Sequence, residues 1–122
     1  MIKGIGTDII EISRINDLIS KYGDNFLNKV FTAREIDYCQ KKVTVESFAV
    51  RFAAKEACFK ALGTGLRDGL TWKDFEILND HQGKPVVHIH NKARDLIKST
   101  KIHISLSHNR SQAIAFVIFE IN

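Results

Sequence analysis

Three residues of this chain stand where chemistry could be done: Asp8, Glu56 and Lys60. Asp8 sits in the isoleucine-rich run Gly4-Ile5-Gly6-Thr7-Asp8-Ile9-Ile10. Aspartate is a poor strand former. A charge in an apolar strand costs free energy unless it is paired or binds a metal. The competing reading is an aspartate at a strand end that caps the next helix. Glu56 and Lys60 lie four residues apart in Phe52-Ala53-Ala54-Lys55-Glu56-Ala57-Cys58-Phe59-Lys60, so on a helix they share a face. Two readings are open for that pair. One is a surface ion pair contributing about 0.3–0.5 kcal/mol. The other is a phosphate site, where the carboxylate holds a hard divalent cation and the lysine one turn on holds a phosphate oxygen. Asp8 and Glu56 together would supply two carboxylates from separate elements, a set that suits Mg²⁺ shared with substrate phosphates and water.

The remaining candidates are weaker. His88 and His90 alternate on one strand face, which fits either a metal site or a solvated surface. Ser107-His108 falls at a hairpin turn, where functional groups concentrate. There is no Gly-x-Ser-x-Gly, and adjacent serine and histidine rarely suit the roles of nucleophile and base, which argues against a serine hydrolase. His108 reads as a donor to phosphate rather than as a general base. Gly4-x-Gly6 and Gly63-x-Gly65 do not complete a dinucleotide fingerprint, and there is no Walker A sequence. The glycine-rich loop Gly63 to Gly69 allows either close approach to a phosphate or a plain turn. Cys39 and Cys58 have no zinc-ligand spacing and read as free thiols, with Cys58 a buried small hydrophobe. Arg14, Leu18, Lys21 and Asn25 share a helix face, which is either solvated or a docking surface for an acidic helix.

These residues need elements to position them. Ile2 to Ile12 reads as a strand. Ile12, Ile15, Ile19, Tyr22 and Phe26 then follow helical spacing, with Gly23 ending or bending the helix. Thr32 and Glu35 form a capping box for a short helix to about Gln40. Thr44 or Glu46 opens the longest helix, which stops at Gly63. Asp74 to Leu78 and Pro85 to His90 read as two strands around a turn. Asn91 to Ser99 reads as a short helix with Ala93, Leu96 and Ile97 inward. Ile102 to Ser107 and Gln112 to Ile121 read as a hairpin, and the second strand is apolar on both faces and hence central. This order predicts a single α+β domain over residues 1–122, an antiparallel sheet packed against one long and several short helices.

Composition sets the outer limits. The chain has 122 residues, 44% hydrophobic and 26% charged, and a net charge of +4. That is enough for one core without disulfide or metal staples, and it excludes collagen-like and disordered classes. No apolar run reaches the roughly 20 residues that span a bilayer, and the first residues lack signal-peptide character. The expected setting is the cytoplasm, with no membrane. The positive excess fits an anionic partner. It admits a small basic RNA-binding module as a rival reading, but there is no clustered basic tract and no RNP-like motif.

Five segments, taken in order, resemble the 4′-phosphopantetheinyl transferases, and among them the small bacterial holo-acyl-carrier-protein synthases. They are Gly4-Ile5-Gly6-Thr7-Asp8-Ile9-Ile10-Glu11-Ile12; Val30-Phe31-Thr32 with Glu35 and Tyr38-Cys39; Arg51-Phe52-Ala53-Ala54-Lys55-Glu56-Ala57 with Lys60-Ala61-Leu62-Gly63-Thr64-Gly65; Gly83-Lys84-Pro85; and Ser105-Leu106-Ser107-His108. The resemblance covers nearly the whole chain. It implies transfer of phosphopantetheine from coenzyme A to a serine of apo acyl carrier protein, in fatty acid biosynthesis. It implies Mg²⁺ held by Asp8 and Glu56, with Lys60 on the diphosphate, and Glu56 or a metal-bound water as base. It implies coenzyme A contacts from Arg51, Gly83, Lys84, Pro85, Ser107 and His108, and gives Arg14, Leu18 and Lys21 a role in carrier binding. It also implies a homotrimer with active sites between subunits. A coenzyme A-binding protein without catalysis is the remaining alternative.

Overall fold

The computed structural model describes residues 1–42 and 44–121. Strand β1 (Ile2–Glu11) runs directly into helix α1 (Ile12–Tyr22), and Gly23 turns the chain into α2 (Asp24–Val30). Helix α3 (Ala33–Gln40) and the long α4 (Glu46–Leu62) follow. A single 3-10 turn (Trp72–Asp74) leads into the hairpin β2 (Phe75–Asn79) and β3 (Pro85–Ile89). Helix α5 (Asn91–Leu96) and the hairpin β4 (Thr100–His108) and β5 (Gln112–Ile121) complete the chain.

The main sheet is antiparallel in the order β1-β5-β4, with β5 central as its apolar pattern predicts. Asp8 stands opposite Ala115, and Ser107 opposite Ile114. The inner face carries Gly6, Ile10, Ala113, Ala115, Val117 and Phe119, all buried. The outer face carries Ile5, Ile9, Ile114 and Phe116, which are 59%, 58%, 40% and 40% exposed. The sheet is thus apolar on both faces, but α4 covers just the inner one.

Small residues let α4 approach. Ala57 and Ala61 of α4 meet Gly4 and Gly6 of β1. A Cβ built on Gly6 would lie 2.0 Å from the Ala57 carbonyl oxygen, and one on Gly4 would lie 2.3 Å from that of Ala61. Backbone cannot yield as a side-chain tip can, so both positions require glycine. The Gly4-x-Gly6 pattern is therefore a packing device, not a nucleotide loop. Gly63 ends α4 in the left-handed region at φ +87°, and its N–H donates to Phe59 O at 2.9 Å.

On its other side α4 meets α3 and β2 through a buried ion pair. Lys55 Nζ donates to Glu35 Oε1 at 2.8 Å, to Phe75 O at 2.7 Å and to Trp72 O at 3.1 Å. Its three N–H groups are thereby satisfied, as a buried ammonium requires. Glu35 also receives Thr32 N and Ile77 N, each at 2.9 Å, so the capping box that starts α3 holds β2 as well.

Four details depart from the sequence expectations. Tyr22 ends the apolar stripe of α1 but is 50% exposed. The helix from Asn91 stops at Leu96, which is 48% exposed rather than inward; Ala93 and Ile97 are buried. The strand expected from Asp74 begins at Phe75, because Asp74 accepts from Thr71 Oγ1 at 2.9 Å and closes the 3-10 turn. Strand β4 begins at Thr100 rather than at Ile102.

Gly6→Ala tests the close approach. The new methyl must push β1 from α4, and overpacking of this kind costs about 1–3 kcal/mol. Urea unfolding should show that loss. An unchanged midpoint would mean that the contact is looser than described.

Candidate functional site

Helix α4 presents two polar edges. Ser47, Arg51 and Lys55 recur every four residues and face α3 and β2. Glu56 lies ~100° further round the helix and shares the β1-facing edge with Lys60. The close packing of β1 on α4 brings Asp8 to this second edge. Lys60 Nζ donates to Asp8 Oδ1 and to Thr7 O, each at 3.0 Å. The surface pair of Glu56 with Lys60 is thus not the arrangement found; Lys60 pairs with Asp8 instead. The Asp8 side chain is 15% exposed, and the Lys60 side chain 55%.

Glu56 lies within electrostatic reach of Asp8, Lys60 and Arg14. Burial pushes its carboxyl above the ordinary carboxylate range, and the negative charge of Asp8 adds to that; Lys60 and Arg14 oppose it. Asp8 and Glu56, two carboxylates from separate elements, thus lie within electrostatic reach of one another, with the charges of Lys60 and Arg14 beside them. Among the described residues no group of three or more His, Cys, Asp or Glu could hold a metal. The Asp8–Glu56 pair still suits Mg²⁺, which takes one or two carboxylates plus phosphate and water oxygens. The site opens into a cleft lined by Glu56, Lys60, Thr64, Gly65 and Arg67.

The other candidates gather elsewhere. Arg51 is buried and donates through Nε to Ile77 O at 3.1 Å and through Nη1 to Ser47 Oγ at 2.9 Å. Its Nη2 donates to Asn79 Oδ1, and Asn79 Nδ2 donates to Gly83 O at 2.8 Å. Arg51 is thus tied to the turn that holds Gly83, Lys84 and Pro85. His108 lines a cleft with Lys42, Thr44 and Ser47 at the start of α4. Ser107 faces the outer side of the sheet with Ile9 and Ile114. Lys84 and Pro85 also line a cleft between β3 and β4, with Lys101 and His103. The clefts that these residues line share no residue with the cleft of Glu56 and Lys60.

Arg14, Leu18 and Lys21 lie along α1. Leu18 lines an apolar groove with Tyr22, Asn25, Phe26 and Lys29. Arg14 reaches the other way, since its charge acts on Glu56. Sequence reasoning missed Ser47, Asn79 and Arg67. Ser47 was accessible as the residue one turn before Arg51; Asn79 depends on a hairpin turn meeting a helix, which no local pattern signals.

The competing chemistries recede. Cys39 and Cys58 are free and buried. Burial raises both thiols, Cys58 to about 12, so neither is a thiolate at neutral pH. His90 Nε2 lies 2.9 Å from Glu76 Oε1, beside Arg34 Nη2 on the same oxygen at 2.6 Å. That cationic neighbour makes a poor metal site, and His88 is exposed.

A family model described as the 4′-phosphopantetheinyl transferase superfamily matches residues 4–117. A holo-[acyl-carrier-protein] synthase of Protochlamydia amoebophila is 52% identical over 120 residues, with 98% of each chain covered. The crystal structure of a holo-(acyl-carrier-protein) synthase from Bacillus anthracis in complex with CoA (3′,5′-ADP) is similar at TM-score 0.85 and 35% identity, covering 100% of this chain and 99% of that one. The Neisseria meningitidis holo-[acyl-carrier-protein] synthase is similar at TM-score 0.88 and 35% identity, over 98% and 99% of the two chains.

The raised carboxyl of Glu56 has a stability signature. The folded state favours its protonated form, so its contribution is full below the unfolded carboxylate value and is lost as pH rises through the folded value. Glu56→Gln should therefore melt higher than wild type at neutral pH in the presence of chelator. The difference should shrink as the pH falls below about 4. Melting curves that coincide at both pH values would remove the repulsion with Asp8.

Proposed function

The chain belongs to the 4′-phosphopantetheinyl transferase superfamily; from that premise we propose that it moves the phosphopantetheine arm of coenzyme A onto a serine hydroxyl of an apo acyl carrier protein. The observation that carries this reading is that Lys60, which lines one cleft with Glu56, pairs with Asp8. The serine oxygen attacks the phosphorus that bears the pantetheine arm. The bond from that phosphorus to the bridging oxygen breaks, and adenosine 3′,5′-bisphosphate leaves with the electron pair. The serine proton passes to a base. Glu56, or a water at the metal, would take that proton.

Asp8 and Glu56 are the residues that would hold Mg²⁺, which when bound supplies Lewis acidity and a template for the diphosphate. Lys60 opposes charge that develops on the leaving phosphate, a contribution set by positioning. Arg14 extends the cationic border from this site onto α1, where Leu18 and Lys21 continue it toward the groove. An acidic carrier helix laid along α1 would thereby bring its serine to Glu56. The free, buried thiols suit a reducing cytoplasm. Among the described residues no helix is long and apolar enough to cross a membrane. A role in fatty acid biosynthesis follows from the carrier protein as substrate.

Two observations support a homotrimer with shared sites. The outer sheet face leaves Ile5, Ile9, Ile114 and Phe116 open to solvent in one protomer. Such a contiguous apolar surface is usual for an interaction site. Lys84, Pro85, Ser107 and His108 also line clefts other than that of Glu56 and Lys60, so a long donor would reach both groups if a neighbouring copy supplied one of them.

Intact-protein mass spectrometry tests the reaction. Incubation with coenzyme A, Mg²⁺ and an apo acyl carrier protein should add one phosphopantetheine to the carrier, and chelator should prevent it. Asp8→Asn and Glu56→Gln should each lower turnover at least about a hundredfold, the scale of losing a charge-stabilising group. Full activity in either folded variant would remove the metal assignment.

Phe116→Asp should convert the assembly to monomers by light scattering, with helix content kept and transfer lost. A monomeric wild type with full transfer activity would overturn the shared-site reading.

A further inference from the structure

Arg67 stands in the cleft that Glu56 and Lys60 open into, and it differs from Lys60 in one respect. The Lys60 ammonium is engaged, at 3.0 Å from both Asp8 Oδ1 and Thr7 O. The Arg67 side chain has no hydrogen-bond or ion-pair partner among the described residues, although its backbone is fixed. Its carbonyl accepts from Leu70 N at 3.0 Å, and Leu70 is buried. The neighbouring Asp68 takes a left-handed conformation at φ +57°, uncommon for a residue other than glycine. The loop thus holds an unpaired guanidinium at the rim of the cleft. Phe59 and Leu66 line the same cleft with apolar surface. A charged end beside an apolar wall suits a ligand with an anionic head and a less polar chain.

We propose that Arg67 is the first anchor of the donor's diphosphate on this protomer, engaged before Lys60 leaves Asp8. The inference rests on the transferase reading above. A guanidinium presents paired N–H groups that match two phosphate oxygens, and it is always charged. Lys60 has two of its three N–H groups engaged and its charge is partnered by Asp8, whereas Arg67 gives up water alone. The order of engagement follows: Arg67 takes the incoming diphosphate, and Lys60 would join fully once its hold on Asp8 is released.

The test is calorimetric titration of coenzyme A into the intact protein, with chelator and then with Mg²⁺, for wild type, Arg67→Ala, Arg67→Lys and Lys60→Met. In chelator, Arg67→Ala should weaken binding about tenfold, as loss of a charged hydrogen-bond pair does. Arg67→Lys should recover part of that, and Lys60→Met should change it less than about threefold. With Mg²⁺ both Arg67→Ala and Lys60→Met should weaken binding. Arg67 is exposed, so Arg67→Ala should keep the wild-type melting temperature. Wild-type affinity in Arg67→Ala under chelator would overturn the proposal. A rise in KM for the carrier alone, with coenzyme A binding unchanged, would also overturn it and place Arg67 at the carrier interface. Failure of the wild type to bind coenzyme A in either condition would instead overturn the transferase reading, and this inference with it.

Discussion

The contact on which the rest depends is that of β1 with α4, backbone against backbone. Gly4 and Gly6 lie so near the Ala61 and Ala57 carbonyls that no side chain fits between them. That approach has two consequences. It buries the inner sheet face under a helix without large side chains to fill a gap. It also sets Asp8, two residues past Gly6, beside the edge of α4 that carries Glu56 and Lys60. Were the strand a side chain further off, the Asp8–Lys60 contact at 3.0 Å could not form, and the two carboxylates would not influence one another. Packing and chemistry are thus fixed by the same glycines.

Helix α4 must also be held against rotation, because Glu56 and Lys55 point about 100° apart. Lys55 serves that end. Its ammonium is fully buried and engages α3, the 3-10 turn and β2 at once. Burial pulls it below the ordinary lysine range, and Glu35 opposes that shift. Buried pairs of this kind are weak evidence for net stability. Their geometry is demanding, however: three acceptors around one nitrogen leave α4 a narrow range of orientation. Lys55 is therefore a positioning residue for Glu56, just as Arg51 ties the start of the same helix to the β2–β3 turn.

Much of the fold is legible in the sequence because its signals are local. The capping box at Thr32 and Glu35, the left-handed stop at Gly63 and the β4–β5 hairpin each rest on residues within a few positions of one another. Errors arise where burial is decided by what the rest of the chain places nearby. Tyr22 and Leu96 have the right spacing to face inward, yet no element covers them, and periodicity alone cannot know that. The site is legible in its residue types but not in its pairings. Helical spacing joined Glu56 to Lys60, while a strand some fifty positions earlier claims the lysine. Gly4 and Gly6 likewise read as strand residues, but their purpose shows only when α4 is seen lying on them. Arg51 was associated with phosphates through family resemblance, but its guanidinium contacts, through Asn79, depend on a turn whose approach no motif encodes.

The charges around the carboxylates fit the proposed reaction in another way. Asp8 and Glu56 lie near Lys60 and Arg14, with the Arg67 guanidinium at the rim of the same cleft. A divalent cation arriving alone would add charge beside these cations, and a diphosphate alone, though met by Arg67, would add charge beside two carboxylates. Either is opposed by part of the site. Arriving together, they bring opposite charges that each find a partner: carboxylates for the cation, and Lys60, released from Asp8, for the phosphate. Electrostatics of this kind couples the two binding events, and the coupling is reciprocal by thermodynamic necessity. The Asp8–Lys60 pair is then more than a resting contact. It gives the Asp8 carboxylate a cationic partner within the protein and, in the proposed reaction, would keep a phosphate-binding cation beside the diphosphate.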